Sequence, residues 1–285
     1  MRWPFAKYAA CGNDFVLFDN RLGVFPYSSR LIQALCLRQT GIGADGVILV
    51  EQSMDAHVRM RIFNPDGAEA AMCGNGLLCL ATWVATLGLR LSSYQIETMQ
   101  RVLSVSRVGE ACCIHMGMPS YTEWGLSLSL PDQRRLSLHS LDTGVPHTVL
   151  FVSDVDDFDL AKWGPWIRHH SRWQPEGTNV TIVQSTSIAN LKIRTYERGV
   201  EGETLACGTG AVAASLAAAY QYGISAPVTV ETRSGKCLTV GFTQHQGRFN
   251  NVSLTGQAVC SFHGEIDLEP VQKRILAHKT SDRRF

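Results

Sequence analysis

Alternating hydrophobic and polar positions dominate this chain and predict many short, half-buried strands. Most of these segments have the period of two that is typical of antiparallel strands. The predicted strands begin at Phe15, Gly46, His57, Tyr94, Val102, His147, Val180, Leu191 and Pro227. The last of them is interrupted by Arg233-Ser234-Gly235-Lys236, which predicts a hairpin turn.

A different pattern, with apolar residues at helical spacing, predicts a few helices. Segments 29–37 and 156–169 are surface-type helices, whereas 77–87 and 211–220 are apolar on nearly every face. A helix without a polar face is buried, and a glycine suited to a C-terminal cap follows each buried helix, at Gly88 and Gly223. The pattern predicts an α+β fold with two curved, mainly antiparallel sheets, each wrapped around one central helix.

An internal repeat places the same phrase before both buried helices. Residues 69–76 are EAAMCGNG and residues 203–210 are ETLACGTG, so both contain Glu-x-x-x-Cys-Gly-x-Gly. Upstream of the phrase, Asn64 and Glu197 both follow Arg-x-aromatic, and Asn13 and Asn179 both precede an apolar strand. The repeat predicts two homologous domains related by a pseudo-twofold axis. If that axis brings the two helix starts face to face, the active site lies in the cleft between the domains.

Turn-rich composition near Gly117-Met118-Pro119-Ser120 marks the predicted boundary between these domains. We expect an N-terminal domain over residues 1–117 and a C-terminal domain over residues 118–264. The tail, 265–285, is expected to return to the first domain.

Charge and hydropathy narrow the classes of partner. The 285 residues include 26 basic and 25 acidic side chains, a formal charge of +1, so no nucleic-acid partner is expected. The N-terminal residues lack the apolar core of a secretory signal, and no apolar run is long enough to span a membrane. We therefore expect a cytoplasmic protein without a membrane partner, with its nine cysteines as reduced thiols.

The repeated phrase has a specific chemical meaning. Cys-Gly-x-Gly at a helix start places a thiol beside backbone N–H groups that have no intrahelical acceptor, and such a site binds anions and lowers the pKa of a cysteine. Cys73 and Cys207 are therefore candidate catalytic thiols, whereas the other cysteines are expected to be inert. Two such thiols on opposite faces of one carbon suit stereochemical inversion, because one removes a proton and the other returns one.

Other candidate chemistry is absent from the sequence. No pyridoxal-binding lysine, flavin motif or metal cluster is evident, and His169-His170 has no partner at ligand spacing. We therefore expect a mechanism without cofactor or metal.

Six motifs together resemble the diaminopimelate epimerase family, in order and over nearly the whole chain. They are AACGNDFVLFD, TGIGADGVILVE, RIFNPDGAEAAMCGNGLLC, DTGVPHTVLFV, EGTNVTIV and RTYERGVEGETLACGTGAVAA. The resemblance implies a cofactor-independent isomerase that interconverts LL- and meso-diaminopimelate in lysine and peptidoglycan precursor biosynthesis. It also implies two pseudo-symmetric domains and a homodimer.

Residue roles follow from the positions that match these motifs. Cys73 and Cys207 would act as base and acid, exchanging roles with the direction of reaction. Backbone donors at Gly74, Asn75, Gly208 and Thr209 would hold the carboxylate of the reacting centre. The substrate would be gripped by Asn13, Asn64, Asn179, Glu197 and Arg198, with Arg198 on the far carboxylate and Glu197 on the far ammonium. His147, together with Glu197, would tune the thiols.

The chain departs from the family pattern at three positions. Leu78 replaces a frequent arginine on the first central helix, so local packing is expected to differ. Val145 replaces a frequent asparagine two residues before His147, which removes a possible hydrogen bond to substrate. Glu201 makes its motif one residue longer, and a loop adjustment is expected there.

Three alternative functions remain open from sequence. A racemase or epimerase of proline, hydroxyproline, glutamate or histidine could use the same fold. A Cys–His acyl-transfer enzyme would pair Cys207 or Cys73 with His147. A thiol-redox or binding protein would be non-catalytic. The duplicated cysteine phrase favours the epimerase, because a hydrolase needs only one nucleophile.

Overall fold

The computed structural model describes residues 2–89, 91–269 and 271. Their secondary-structure elements, in chain order, are β1 Arg2–Ala10, β2 Asn13–Asp19, α1 Ser29–Cys36, β3 Gly46–Glu51, β4 Val58–Phe63, β5 Glu69–Ala70, α2 Gly74–Val84, β6 Ser93–Glu97, β7 Val102–Val108, β8 Ala111–His115, β9 Thr122–Ser129, β10 Arg135–Asp142, β11 Pro146–Phe151, α3 Leu160–Arg168, a 3-10 turn Ser171–Trp173, β12 Asn179–Ser187, β13 Asn190–Glu197, β14 Gly202–Thr204, α4 Gly208–Tyr222, β15 Val228–Glu231, β16 Cys237–His245, β17 Arg248–Gly256 and β18 Val259–Asp267.

These elements form two compact units, whose limits differ slightly from the predicted ones. Unit 1 comprises the described residues up to 112 and from 257 onward, and unit 2 comprises residues 113–256. Met116, which precedes the predicted boundary, is bonded to unit 2: its backbone N–H donates to the carbonyl oxygen of Val252 at 2.8 Å. Strand β18 pairs with β1, from Arg2 opposite Asp267 onward, and so belongs to unit 1. Most of the predicted returning tail, residue 270 and residues 272–285, lies outside the described residues.

Both units contain the same succession of strand pairings. In unit 1, β1 and β2 are antiparallel, β2 and β3 are parallel, β3, β4 and β5 are antiparallel, and β4 and β6 are parallel. In unit 2, β10 to β15 repeat this order, with parallel pairs β11–β12 and β13–β15. Parallel neighbours need a crossover connection, and α1 and α3 lie in the equivalent crossovers. The α+β fold class with duplicated units is confirmed.

Strand register identifies which residues are equivalent in the two units. Phe63 pairs with Glu69 on β5, and Tyr196 pairs with Glu203 on β14, so Asn64 and Glu197, the next residues along, are equivalent as the sequence repeat predicted.

The register also corrects one equivalence. On the neighbouring parallel strands, Gly46 pairs with Phe15, whereas Asn179 pairs with His147. Asn13, two residues before Phe15, is therefore equivalent to Val145. Asn179 begins the strand that follows the crossover helix, whereas Asn13 begins the strand that precedes it, so the two asparagines were wrongly matched.

Helices α2 and α4 are the central helices that the apolar pattern predicted. α4 lies against β10 to β13 and β15 to β17, and every residue from Gly208 to Ala219 is buried. Gly223 ends α4 in the left-handed region, with φ of 68°, and its N–H donates to Ala219 O at 3.0 Å. α2 ends earlier than predicted, at Val84 with Ala85 as its cap, and the turn that follows closes at Gly88, which adopts φ of 98° while Leu89 N donates to Val84 O at 3.3 Å.

The crossover helices cover a second core in each unit. α1 buries Leu31, Ile32 and Leu35 in a cluster with Phe18 and Phe63. α3 buries Leu160, Trp163 and Ile167 in a cluster that includes Tyr196. The helix predicted from residue 156 begins only at Leu160, because the side chain of Asp159 accepts from Lys162 N and caps it.

Candidate active site

The two repeated cysteines occupy the same structural position, as N-caps of the central helices. Cys73 precedes α2 and Cys207 precedes α4, both with extended backbone angles. The Sγ of Cys73 accepts from Gly76 N and the Sγ of Cys207 accepts from Gly210 N, each at 3.4 Å. The positive end of each helix dipole therefore faces a sulfur atom, which favours negative charge there.

The predicted backbone donors form the first turn of each helix. Gly74 and Asn75 open α2, and Gly208 and Thr209 open α4. The hydrogen-bond ladder of each helix begins only beyond them, where Leu77 N and Ala211 N donate to the carbonyls of Cys73 and Cys207, both at 2.9 Å. The N–H groups of these opening residues precede the ladder, and anions bind at such positions.

In unit 1 a row of side-chain amides lies beside the Cys73 helix. Asn75 Nδ2 donates to Asn13 Oδ1 at 2.7 Å, and Asn13 Nδ2 donates to Asp45 Oδ2 at 3.2 Å. The Asp45 carboxylate can only accept, so it fixes which end of the Asn13 amide carries the NH2 group. Asn64 lies at the end of β4, where its N–H and C=O close the turn to Ala68 and Gly67, each at 2.9 Å.

Asp45 belongs to an ionic cluster that sequence reasoning missed. Arg38 donates to Asp45 at 2.6 Å and to both oxygens of Asp14, at 2.9 and 3.0 Å. Lys7 forms an ion pair with Asp14 at 2.7 Å and also donates to Gly43 O. Asp14 and Asp45 both stand in motifs recognised from the sequence, ACGNDF and TGIGADG, but their contact joins residues that are 31 apart.

This cluster predicts an acid-sensitive contribution to stability. Burial alone would raise the pKa of Asp14, but Arg38 and Lys7 outweigh it and lower that pKa from 3.8 to about 2. Because the folded-state pKa is depressed, the stabilisation is present above pH 4 and is lost as the pH falls toward 2.

We expect the loss to be about 2 kcal/mol in the free energy of unfolding, since one pKa unit corresponds to about 1.4 kcal/mol. Urea unfolding of the wild type and of Asp14→Asn between pH 5 and pH 2 measures it. The variant should be less stable at pH 5, and the difference should shrink toward pH 2. A difference that does not change with pH would contradict the assignment.

In unit 2 the predicted substrate residues Asn179 and Arg198 are connected through the backbone. Asn179 Oδ1 accepts from Arg198 N at 2.8 Å, and Asn179 Nδ2 donates to Pro146 O at 3.1 Å. The guanidinium of Arg198 reaches Glu176 O at 3.4 Å, a long contact. The Asn179 amide thus holds the loop that carries Arg198.

Glu197 lies close to the second thiol. Its carboxyl hydrogen-bonds to Cys207 and accepts from Thr204 Oγ1, the latter at 2.5 Å. Burial raises the pKa of Glu197, and these two hydrogen bonds oppose the rise only in part. A raised pKa suits a group that shares a proton with a neighbouring thiol.

His147 is completely buried and is linked to the second thiol through the hydroxyl of a threonine. Its Nε2 lies 2.9 Å from Thr209 Oγ1 and its Nδ1 lies 3.2 Å from Thr181 Oγ1. Burial, and secondarily the charge of Arg198, lowers the pKa of His147 to about 3, so the ring is neutral at physiological pH. Both ring nitrogens bond to hydroxyl groups, an arrangement that disfavours a direct Cys207–His147 acyl-transfer pair.

The three departures from the family pattern have structural counterparts. Leu78 is fully buried in α2, so an apolar residue suits this position. Val145 is equivalent to Asn13, so unit 2 lacks the amide that unit 1 presents there. Glu201 adopts φ of 55° and forms an ion pair with Arg168 at 3.0 Å, which ties the longer loop to α3.

The described residues meet the requirements of neither a metal site nor a membrane-spanning helix. Among residues 2–89, 91–269 and 271, no group of three or more His, Cys, Asp or Glu side chains is arranged to hold a metal ion. Within the same part of the chain, no helix has the length and hydropathy needed to cross a membrane.

Comparison with known proteins identifies the family. The family model described as diaminopimelate epimerase matches residues 5–122 and 139–260. A diaminopimelate epimerase of Chlorobaculum tepidum is 39% identical over 265 residues, which is 91% of this chain and 100% of the relative.

Solved structures show the same fold at much lower identity. A phenazine biosynthesis protein of the PhzF family from Bacillus anthracis has a TM-score of 0.73 at 16% identity, covering 94% of this chain and 99% of its own. A hydroxyproline epimerase from Agrobacterium vitis, solved with bound trans-4-hydroxy-L-proline, has a TM-score of 0.70 at 15% identity, covering 94% and 93%. The fold is therefore shared among several enzymes, but the sequence match is specific, and the chain belongs to the diaminopimelate epimerase family.

Proposed function

We propose that this protein is an isomerase that interconverts LL- and meso-diaminopimelate by proton transfer at one α-carbon, without a cofactor. Family membership together with the twin capping thiols carries this proposal. Inversion needs a proton acceptor on one face of the carbon and a proton donor on the other, and Cys73 and Cys207 are two groups of equal chemistry.

The proton balance of the reaction is simple. The thiolate of one cysteine removes the α-proton, so that an S–H bond forms and the C–H electron pair is delocalised into the carboxylate. The thiol of the other cysteine gives its proton to the opposite face of the carbon. After one turnover the ionised and the protonated cysteine have exchanged places, and the reverse reaction starts from that state.

The helix starts supply the stabilisation that this proton removal requires. An α-carbon next to a carboxylate is very weakly acidic, so the developing negative charge has to be met by preorganised donors. The N–H groups of Gly74, Asn75, Gly208 and Thr209 precede the ladders of α2 and α4. In the proposal these donors bind the carboxylate of the reacting centre.

Residues that differ between the two units select the far end of the substrate. Glu197 and Arg198 provide a carboxyl group and a guanidinium group side by side, whereas the equivalent of Glu197 in unit 1 is the neutral Asn64. A second ammonium and a second carboxylate on the substrate match Glu197 and the planar guanidinium of Arg198. Asn13, Asn64 and Asn179 complete the proposed grip, and His147 tunes the second thiol.

The proposal extends to the localisation, oligomeric state, pathway and partners of the enzyme. We propose a cytoplasmic homodimer that acts in lysine and peptidoglycan precursor biosynthesis and has no nucleic-acid or membrane partner. The near balance of 26 basic and 25 acidic residues supports the absence of a polyanionic partner.

Proton exchange tests the proposed reaction directly. The reduced protein is incubated with LL-diaminopimelate in D₂O, and the α-proton signal and the meso product are followed by NMR. We expect the α-proton to be lost as deuterated meso product accumulates. Proline, trans-4-hydroxyproline, glutamate and histidine serve as parallel substrates. Racemisation of one of these without turnover of diaminopimelate would overturn the proposal.

A further inference from the structure

A row of buried polar side chains leads from the Cys207 sulfur into the sheet of unit 2. Thr209 Oγ1 lies 3.4 Å from Cys207 Sγ, and His147 Nε2 lies 2.9 Å from Thr209 Oγ1. On the other side of the ring, His147 Nδ1 lies 3.2 Å from Thr181 Oγ1, which lies 3.2 Å from Thr195 Oγ1. The three threonines and His147 are each 5% exposed or less. Their hydroxyl groups therefore bond to one another and to the imidazole ring rather than to solvent.

Unit 1 has apolar residues at the positions of the two inner threonines. Thr181 and Thr195 are opposite each other on β12 and β13, and Ile48 and Ile62 are opposite each other on β3 and β4. Register makes Thr181 equivalent to Ile48 and Thr195 equivalent to Ile62. Both residue types are β-branched, but isoleucine is larger and wholly apolar, whereas threonine places a hydroxyl group at the equivalent position.

Both pairs seat the start of a central helix. A Cβ atom added to Gly76 would meet Ile62 Cδ1 at 2.6 Å, and one added to Gly210 would meet Thr181 Oγ1 at 3.0 Å. The fold thus seats one helix start on apolar side chains alone. A buried hydroxyl without a partner is costly, so the hydroxyl groups of Thr181 and Thr195 need a role other than seating the helix. His147 provides that role, because its ring bonds to a hydroxyl, whereas its equivalent in unit 1 is Phe15.

The direction of each hydrogen bond follows from the ionised state of Cys207. A thiolate only accepts, so the Thr209 hydroxyl donates to it and in turn accepts from His147 Nε2–H. A neutral imidazole carries one N–H, so Nδ1 must then accept, and the Thr181 hydroxyl donates to it. Thr195 donates in turn to Thr181. Every member of the row is satisfied in this single direction.

We propose that Thr181 and Thr195 are positioning residues that hold His147 in its Nε2–H tautomer, and thereby hold the Thr209 hydroxyl as a hydrogen-bond donor to the Cys207 thiolate. The inference rests on the proposed function only in that Cys207 has to ionise during the reaction. The two thiols also have different surroundings, because the residues of unit 1 that are equivalent to His147, Thr181 and Thr195 are all apolar.

Other ionisable groups also act on this site. Glu197 on β13 hydrogen-bonds to Cys207, and Arg198 acts on His147 through its charge. Substitutions at Thr181 leave both of these groups in place, so a change in Cys207 caused by Thr181→Val reports on the threonine row.

Nitrogen NMR tests the tautomer. In protein labelled with 15N-histidine, long-range correlations between ring protons and ring nitrogens distinguish Nε2–H from Nδ1–H, and His147→Gln assigns the signal. We expect Nε2–H in the wild type at a pH where Cys207 is ionised. In Thr181→Val the 15N shift of Nδ1 should move toward the value of a nitrogen without a hydrogen-bond donor. An Nδ1–H tautomer in the wild type would overturn the proposal.

The reactivity of the thiol gives a second readout that needs no substrate turnover. In a Cys73→Ala background, the alkylation rate of Cys207 is measured against pH by mass spectrometry of its peptide. Thr181→Val should lower the rate below the Cys207 pKa about three- to tenfold, as expected for one lost hydrogen bond. Thr181→Ser should restore it.

Thr148→Val is the matched control, because Thr148 is equally buried but its hydroxyl bonds to Thr178 at 3.2 Å, outside the row. It should leave the alkylation rate unchanged. Equal rates in Thr181→Val and Thr148→Val would overturn the proposal. Failure of the protein to turn over diaminopimelate would leave both readouts measurable, so the two proposals fail separately.

Discussion

Cys73→Ala and Cys207→Ala should each lower the rate of conversion of LL- to meso-diaminopimelate by about 10²- to 10⁴-fold, the range that one positioned acid or base contributes. Both effects should be large because each thiol caps its own central helix in the same geometry, with a sulfur to N–H distance of 3.4 Å in both units. Neither cysteine has a second thiol in its own phrase that could replace it.

The single variants should also differ from each other in a way that simple inactivation would not produce. With only one thiol left, a substrate isomer can lose its α-proton and regain deuterium on the same face. We therefore expect one variant to exchange the α-proton of the LL isomer without inversion, and the other variant to exchange that of the meso isomer. Proton NMR in D₂O measures both exchange rates.

Cys237→Ala is the control for these variants, since Cys237 is exposed at the start of β16 and lies outside the repeated phrase. It should retain wild-type rates. Full activity in either Cys73→Ala or Cys207→Ala would contradict the two-thiol mechanism.

Gly41→Ala should destabilise the protein by about 3 kcal/mol, the upper part of the range for forcing an extra methyl group into a packed site. A Cβ atom at Gly41 would meet the carbonyl oxygen of Ala34, and would lie 2.7 Å from Leu35 O and 2.9 Å from Leu37 O. All three atoms belong to the backbone at the end of α1, so no side-chain rotation relieves the contact. The loop that begins here leads to Asp45 and therefore to Asn13.

The matched control is Gly202→Ala, where an added Cβ atom meets nothing within 4 Å and the backbone is not left-handed. We expect its free energy of unfolding to stay within about 0.5 kcal/mol of the wild type. Urea unfolding of the three proteins, followed by circular dichroism, makes the comparison. Similar midpoints for Gly41→Ala and Gly202→Ala would show that the loop moves to accept the methyl group.

The parts of the site that are local in sequence could be predicted, because a short phrase carries all the information they need. Cys73 and Cys207 become helix caps through the residues next to them, and their glycines form the first turns of α2 and α4. The buried character of both helices follows equally directly from their composition.

Contacts between distant strands could not be predicted in this way. A period of two shows which side chains of one strand share a face, but not that Thr181 lies opposite Thr195 or that His147 lies beside them, because strand order and register decide that. The parallel pairing of β2 with β3 and of β11 with β12 has no local signal either. For this reason the match of Asn13 with Asn179 was wrong.

The return of β18 to unit 1 has a consequence for the order of folding during synthesis. Unit 2 is one continuous segment, residues 113–256, whereas unit 1 needs residues from both sides of that segment. On the ribosome, β1 is synthesised first but can pair with β18 only after unit 2 has been made. Unit 1 is therefore begun first and completed last. The edge of β1 that β18 later occupies lacks its native partner during that interval, and an unpaired strand edge can pair with a wrong strand.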